Sequence, residues 1–78
     1  MTLEKDRIYH YYLLGDRPIK VTCNASEIPL SAQIVDTKKK EFIYDLTLIP
    51  VIIDSMDVRT IDENEFRNAC LAKGVKPI

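Results

Sequence analysis

The run Ile8 to Leu14, IYHYYLL, limits the folds open to this chain more than any other stretch. β-branched and aromatic side chains suit a pleated strand and fit a turn poorly. Side chains alternate across a strand. Tyr9, Tyr11 and Leu13 therefore share one face, and Ile8, His10, Tyr12 and Leu14 share the other. Both faces are largely apolar, so the run predicts a strand that must be covered on both sides.

The flanking residues extend this strand into a sheet. Leu14-Gly15-Asp16-Arg17 has a glycine where a two-residue type II′ turn needs one. Ile19 to Asn24 then alternates, with Ile19, Val21 and Cys23 on the apolar side, which predicts a β-hairpin. Residues Asn24 to Pro29 (NASEIP) read as a connection. Leu30 to Val35 is a third strand, Asp36 to Lys40 a polar loop, and Glu41 to Asp45 a fourth strand.

The remaining third of the chain reads as helical. Leu48, Ile49, Ile52, Ile53 and Met56 recur at helical spacing. They predict a short helix from about Leu48 to Ser55, with Thr47 as its cap and Pro50 in its first turn, where a missing N–H costs nothing. Val58 to Ile61 is an extended link or a short edge strand. Asp62 followed by Glu65 spells a capping box, and Ile61 with Phe66 its hydrophobic staple. Glu63 and Glu65 favour the positive end of the helix dipole, Phe66, Ala69 and Cys70 form the inner face, and Gly74 supplies the stop. The predicted fold is α+β: an antiparallel sheet of three to four strands with a short helix and a capped C-terminal helix packed on it. A small half-open β-barrel with an appended helix is the alternative. The expected core is Ile19, Val21, Cys23, Ile34, Ile52, Ile53, Phe66 and Cys70, with part of the Tyr9–Leu14 strand.

Length and composition narrow the function. Seventy-eight residues make one domain, and a domain of this size buries only roughly 60% of its unfolded surface. Marginal stability makes a partner subunit a natural supplement. With 46% hydrophobic and 29% charged residues, the chain is neither disordered nor a disulfide scaffold. Cys23 and Cys70 are too few to staple it. MTLEKDRIYH has no apolar core of a signal peptide, and the apolar run Leu48 to Ile53 is too short to cross a bilayer. The expected location is the cytoplasm.

The formal charge of -1 hides an asymmetry. From Glu41 to Glu65 the chain carries seven acids and one base, net -6, against +5 elsewhere. Charge separated in this way steers a partner of the opposite sign. Glu41, Asp45, Asp54, Asp57 and Arg59 are therefore the candidate partner-binding residues. Tyr9, Tyr11, Tyr12 and Leu13 are the candidate interface of a homodimer, formed if both helices cover the same sheet face and leave the other bare. Three short features suit nucleic acid instead: tyrosines on which bases can stack, Arg17 with Lys20, and the run Lys38, Lys39, Lys40. Three lysines release few counterions, so such binding is weak.

Catalysis has little to build on. His10 is the only histidine, and both thiols fall on apolar faces, where burial raises their pKa and quenches them. There is no metal-ligand pair, no phosphate-cradling glycine loop and no EF-hand spacing. The sequence thus predicts a non-catalytic interaction or regulatory protein, without metal or cofactor. It acts through a protein-binding surface and as a homo-oligomer. A weak RNA- or DNA-binding module is the alternative.

Overall fold

The computed structural model describes residues 7–78. Residues 1–6, on which the expectation of no signal peptide largely rests, lie outside them. The chain runs β1 (Ile8–Leu14), β2 (Arg17–Cys23), β3 (Pro29–Asp36), β4 (Glu41–Tyr44), α1 (Leu48–Asp54), β5 (Val58–Ile61) and α2 (Glu63–Ala72). The strands form one antiparallel sheet in the order β4-β3-β2-β1-β5.

The architecture is α+β, with five strands rather than three or four. The fifth is Val58–Ile61, which pairs with the last four residues of β1, Tyr11 opposite Ile61 and Leu14 opposite Val58. The sheet stays open, with β4 and β5 as its two edges and no closure into a barrel.

The first hairpin forms as its sequence dictates. Leu14 pairs with Arg17, Gly15 takes φ +63 and Asp16 stays out of the positive-φ region, which is the type II′ pattern. One register through the hairpin places Ile8, His10 and Tyr12 opposite Cys23, Val21 and Ile19. Those residues face a core with Ala32, Ile34 and Leu48, and Ile49 and Ile52 of α1 pack against it. Tyr11 and Leu13 face the other way, into a second cluster with Phe42 of β4, Ile61, Phe66 and Cys70.

The two helices therefore lie on opposite faces of the sheet, one each. This differs from the arrangement that motivated a dimer through the first hairpin, in which both helices share a face. The physical reason is the chain path. β4 and β5 are opposite edges, so α1 must cross one face to join them, and α2 follows β5 back across the other.

α2 is locked at both ends. The Asp62 carboxylate accepts the Glu65 N–H at 2.8 Å, and Ile61 packs in one cluster with Phe66 as a staple. Only half of the capping box forms, because no return bond from Asp62 N–H to Glu65 is present among the described residues. At the other end Gly74 has φ +71. The Gly74 N–H reaches Leu71 O at 3.0 Å and the Val75 N–H reaches Cys70 O at 2.9 Å, a Schellman closure. Val75 is buried beneath it.

α1 is looser. Thr47 is not its side-chain cap. The Asp45 carboxylate instead closes the turn that precedes the helix, accepting the Thr47 N–H at 3.0 Å and the Thr47 hydroxyl. The helix ends at Asp54, too short for a second inward turn. Met56, beyond its end, is fully exposed, and Ile53, at the open rim of the cleft, is 73% exposed, so Ile53 is not a core residue, and Ile52 is only half-buried. The buried set also includes Pro18, Ala32, Val35, Leu48, Ile61 and Val75, which alternation alone did not single out.

Candidate functional site

The looseness of α1 leaves a cleft of about 270 Å³ between it and the sheet. Val21 and Cys23 of β2 and Pro29 of β3 form one wall, and Ile49, Ile52 and Ile53 of α1 form the other. His10, Tyr12 and Glu27 supply the polar groups. The cleft is partly open to solvent. Exposed Ile28 and Leu30 flank Pro29 in sequence, and the outer side of the α1 segment adds exposed Leu46, Val51 and Met56.

Glu27 reaches the cleft from the β2–β3 connection. Asn24 organises this loop: its side-chain oxygen accepts the N–H groups of Ser26 at 2.9 Å and Ile28 at 3.0 Å. The backbone closes the same turn, with Asn24 N–H on Ile28 O and Glu27 N–H on Asn24 O. Glu27 is thereby held at φ +61, a region in which a non-glycine residue is strained. Its carboxylate lies 3.3 Å from His10 Nε2. Burial, and then the charge of Glu27, push up the pKa of the Cys23 thiol. Burial, the Cys23 sulfur and Glu27 do the same for the Tyr12 hydroxyl. The interior of the cleft thus feels negative charge, and no lysine or arginine lines it among the described residues.

The opposite face carries the tyrosines unequally. Tyr11 packs against Phe66 with the rings tilted and their centroids 4.7 Å apart, half-buried like Leu13. Tyr9 is 45% exposed, and Lys20 Nζ sits 4.4 Å from its ring centroid, a cation–π contact. Tyr12 projects to the cleft side. Tyr9, Tyr11, Tyr12 and Leu13 therefore form two surfaces rather than one.

The charged candidates are similarly dispersed. Glu41 starts β4 and Arg59 lies on β5, at opposite edges of the sheet. Asp45, Asp54 and Asp57 bracket α1, and only these three accompany its exposed apolar residues. Arg17 donates from Nε and Nη2 to Val35 O at 3.1 and 2.7 Å, tying β2 to β3. Lys38, Lys39 and Lys40 form the exposed β3–β4 turn, with the N–H groups of Lys38 and Lys39 on the Asp36 carboxylate. Those bonds hold the Asp36 pKa down. Lys20 lies away from this turn, within the sheet. The nucleic-acid candidates are thus split between a sheet face and a loop tip.

The thiols are buried on opposite faces of the sheet and unbridged. Burial raises the pKa of Cys70 to about 11. No three His, Cys, Asp or Glu side chains converge on a metal-binding point among the described residues, and no helix there is long and apolar enough to cross a membrane. Sequence reasoning missed Glu27 and the cleft. The only signal was Asn24, a residue that readily caps a turn with its own side chain. No family model, no curated protein and no solved structure matches the chain.

Proposed function

We propose that this chain is a small non-catalytic interaction protein that binds a protein partner through the cleft and the outer side of α1. The observation that carries this reading is the concentration of exposed apolar side chains on one segment. Leu46, Val51, Ile53 and Met56 are all exposed, within a stretch where Asp45, Asp54 and Asp57 are the only charges. Contiguous apolar surface with a polar rim marks an interaction site. Each sheet face carries one helix over its buried cluster, so a partner is not needed to complete the core. The cytoplasm remains the proposed setting, and a second copy of the chain remains one candidate partner.

The test is affinity capture from the native host with the wild-type chain and with Ile53→Asp/Met56→Asp. Both positions are exposed, so folding should be unchanged and the captured partner should disappear. A partner retained by the double variant would refute this surface.

A second reading rests on Tyr9, Lys20 and Tyr44. The register aims them to the same side of the sheet, and Tyr9 and Tyr44 are exposed. Single-stranded RNA can stack on such rings. Fluorescence titration with a labelled oligouridine would support it if binding were saturable at physiological salt and lost in Tyr9→Ala.

A further inference from the structure

We infer that the cleft takes one large apolar side chain of the partner, and that a lysine or arginine beside it in the partner's sequence binds Glu27. This rests on the proposed protein-binding function and specifies the chemistry of the bound segment.

Three observations converge. The cleft is the size of one or two side chains and apolar on both walls, from β2 to α1. Buried aromatic or aliphatic anchors in such pockets dominate many interfaces. The carboxylate of Glu27 is the formal charge at its edge, and its field reaches the Tyr12 hydroxyl and the Cys23 thiol. A cationic group is complementary to that site and an anionic one is repelled. Finally, Glu27 occupies a left-handed backbone position where glycine would be less strained. The Asn24 turn holds it there, directing its side chain to His10. Lys40 shares this backbone at a loop tip, but Glu27 alone of the two lies beside a cavity, where retained strain accords with a binding position.

In the free protein the Glu27 carboxylate lies beside the neighbouring imidazole, 3.3 Å away and partly exposed. A guanidinium or ammonium offers a stronger, charge-assisted bond. Binding would exchange His10 for the partner's cation while the adjacent apolar side chain enters between Val21 and Ile52.

Selection of random linear peptides displayed on phage against the full chain tests this. The expected result is enrichment of sequences with a large apolar residue next to Lys or Arg. Synthetic peptides of that sequence should perturb the NMR signals of His10, Val21 and Ile52, bind more weakly as salt rises, and bind Glu27→Gln roughly tenfold more weakly. Glu27→Gly should also lose binding while its melting temperature stays level or rises, an outcome a purely structural role for Glu27 would not give.

Enriched peptides that are acidic yet still perturb the cleft would overturn this inference and leave the interaction function standing, whereas peptides that map to the Tyr9–Lys20 face would count against the α1 surface as well. A chain that dimerises through the cleft, and is made monomeric by Ile53→Asp, would overturn it by giving the site to a second copy. Absence of any enrichment would count against both.

Discussion

The two helices are built to different standards on the two faces of one sheet. α2 has ten residues, a side-chain cap at one end and a glycine closure at the other, and it buries Phe66 and Cys70 almost completely. α1 has seven residues and no cap from its own N-cap residue, and buries only Leu48. Phe66 alone stabilises by roughly 2–3 kcal/mol through burial. α1 leaves Val51 and Ile53 exposed and a cleft behind it. In a small domain whose stability is marginal, α2 therefore contributes more to holding the fold than α1 does, although the sheet residues beneath α1 form the larger buried cluster. The α1 face can then remain incomplete and open to a partner.

Truncation should affect the faces unequally. Phe66→Ala should cost about 3–5 kcal/mol, enough to unfold much of the population at room temperature. Ile52→Ala, at the half-buried position of α1, should leave the chain folded. Urea titrations of both variants measure this, and equal losses would erase the distinction between the faces.

The caps extend the comparison at smaller scale. Asp62→Ala should cost about 1 kcal/mol, a fall of several degrees in melting temperature. Thr47→Ala should cost less, since its hydroxyl caps nothing in α1. Thermal scans of the pair rank them, and a larger fall for Thr47→Ala would reverse the assignment.

Alkaline pH acts chiefly through the buried thiol of the α2 face. The Cys70 pKa is about 11 when folded against an ordinary 9.0. In the unfolded chain the thiol releases its proton first, so stability is complete below about pH 9 and falls as pH rises toward 11. Cys23, Tyr11 and Tyr12 are shifted the same way and add to the fall. Cys70→Ala should make the decline shallower. In the native state at neutral pH, Cys23, beside the open cleft, should react with a thiol reagent before Cys70, as mass spectrometry would record.

The smallest stability effect belongs to the exposed turn that follows α1. Met56→Asp should change stability by less than about 0.5 kcal/mol, yet should weaken partner capture.

How much of this was legible in the sequence follows the same division. The first hairpin and α2 are specified locally: Gly15, strict alternation, Asp62, the Ile61–Phe66 staple and Gly74 each act within a few residues. The short β5 edge and the choice of face for each helix depend on which strands become neighbours, which no local pattern encodes. Ile53 and Met56 share the helical spacing of Leu48 and Ile52, so periodicity assigned them inward. Met56 is turned to solvent because α1 ends before it, and Ile53, inside the helix, sits at the open rim of the cleft rather than against the sheet. Glu27 lay in an unpatterned connection, and its positive φ follows from the Asn24 turn and not from any preference of glutamate. The acidic stretch was visible as charge, but its division between two sheet edges and the flanks of α1 was not.

Native-state hydrogen exchange tests the central claim most directly, because it reads the stability of each segment separately. The amides of β1, β2 and the middle of α2 should exchange only through global unfolding. The amides of the last turn of α1 and of its C-cap, Ser55 N–H on Val51 O at 2.8 Å, should exchange through local opening at a distinctly lower free energy. Equal protection of α1 and α2 would contradict the account, since both faces would then be closed to the same degree.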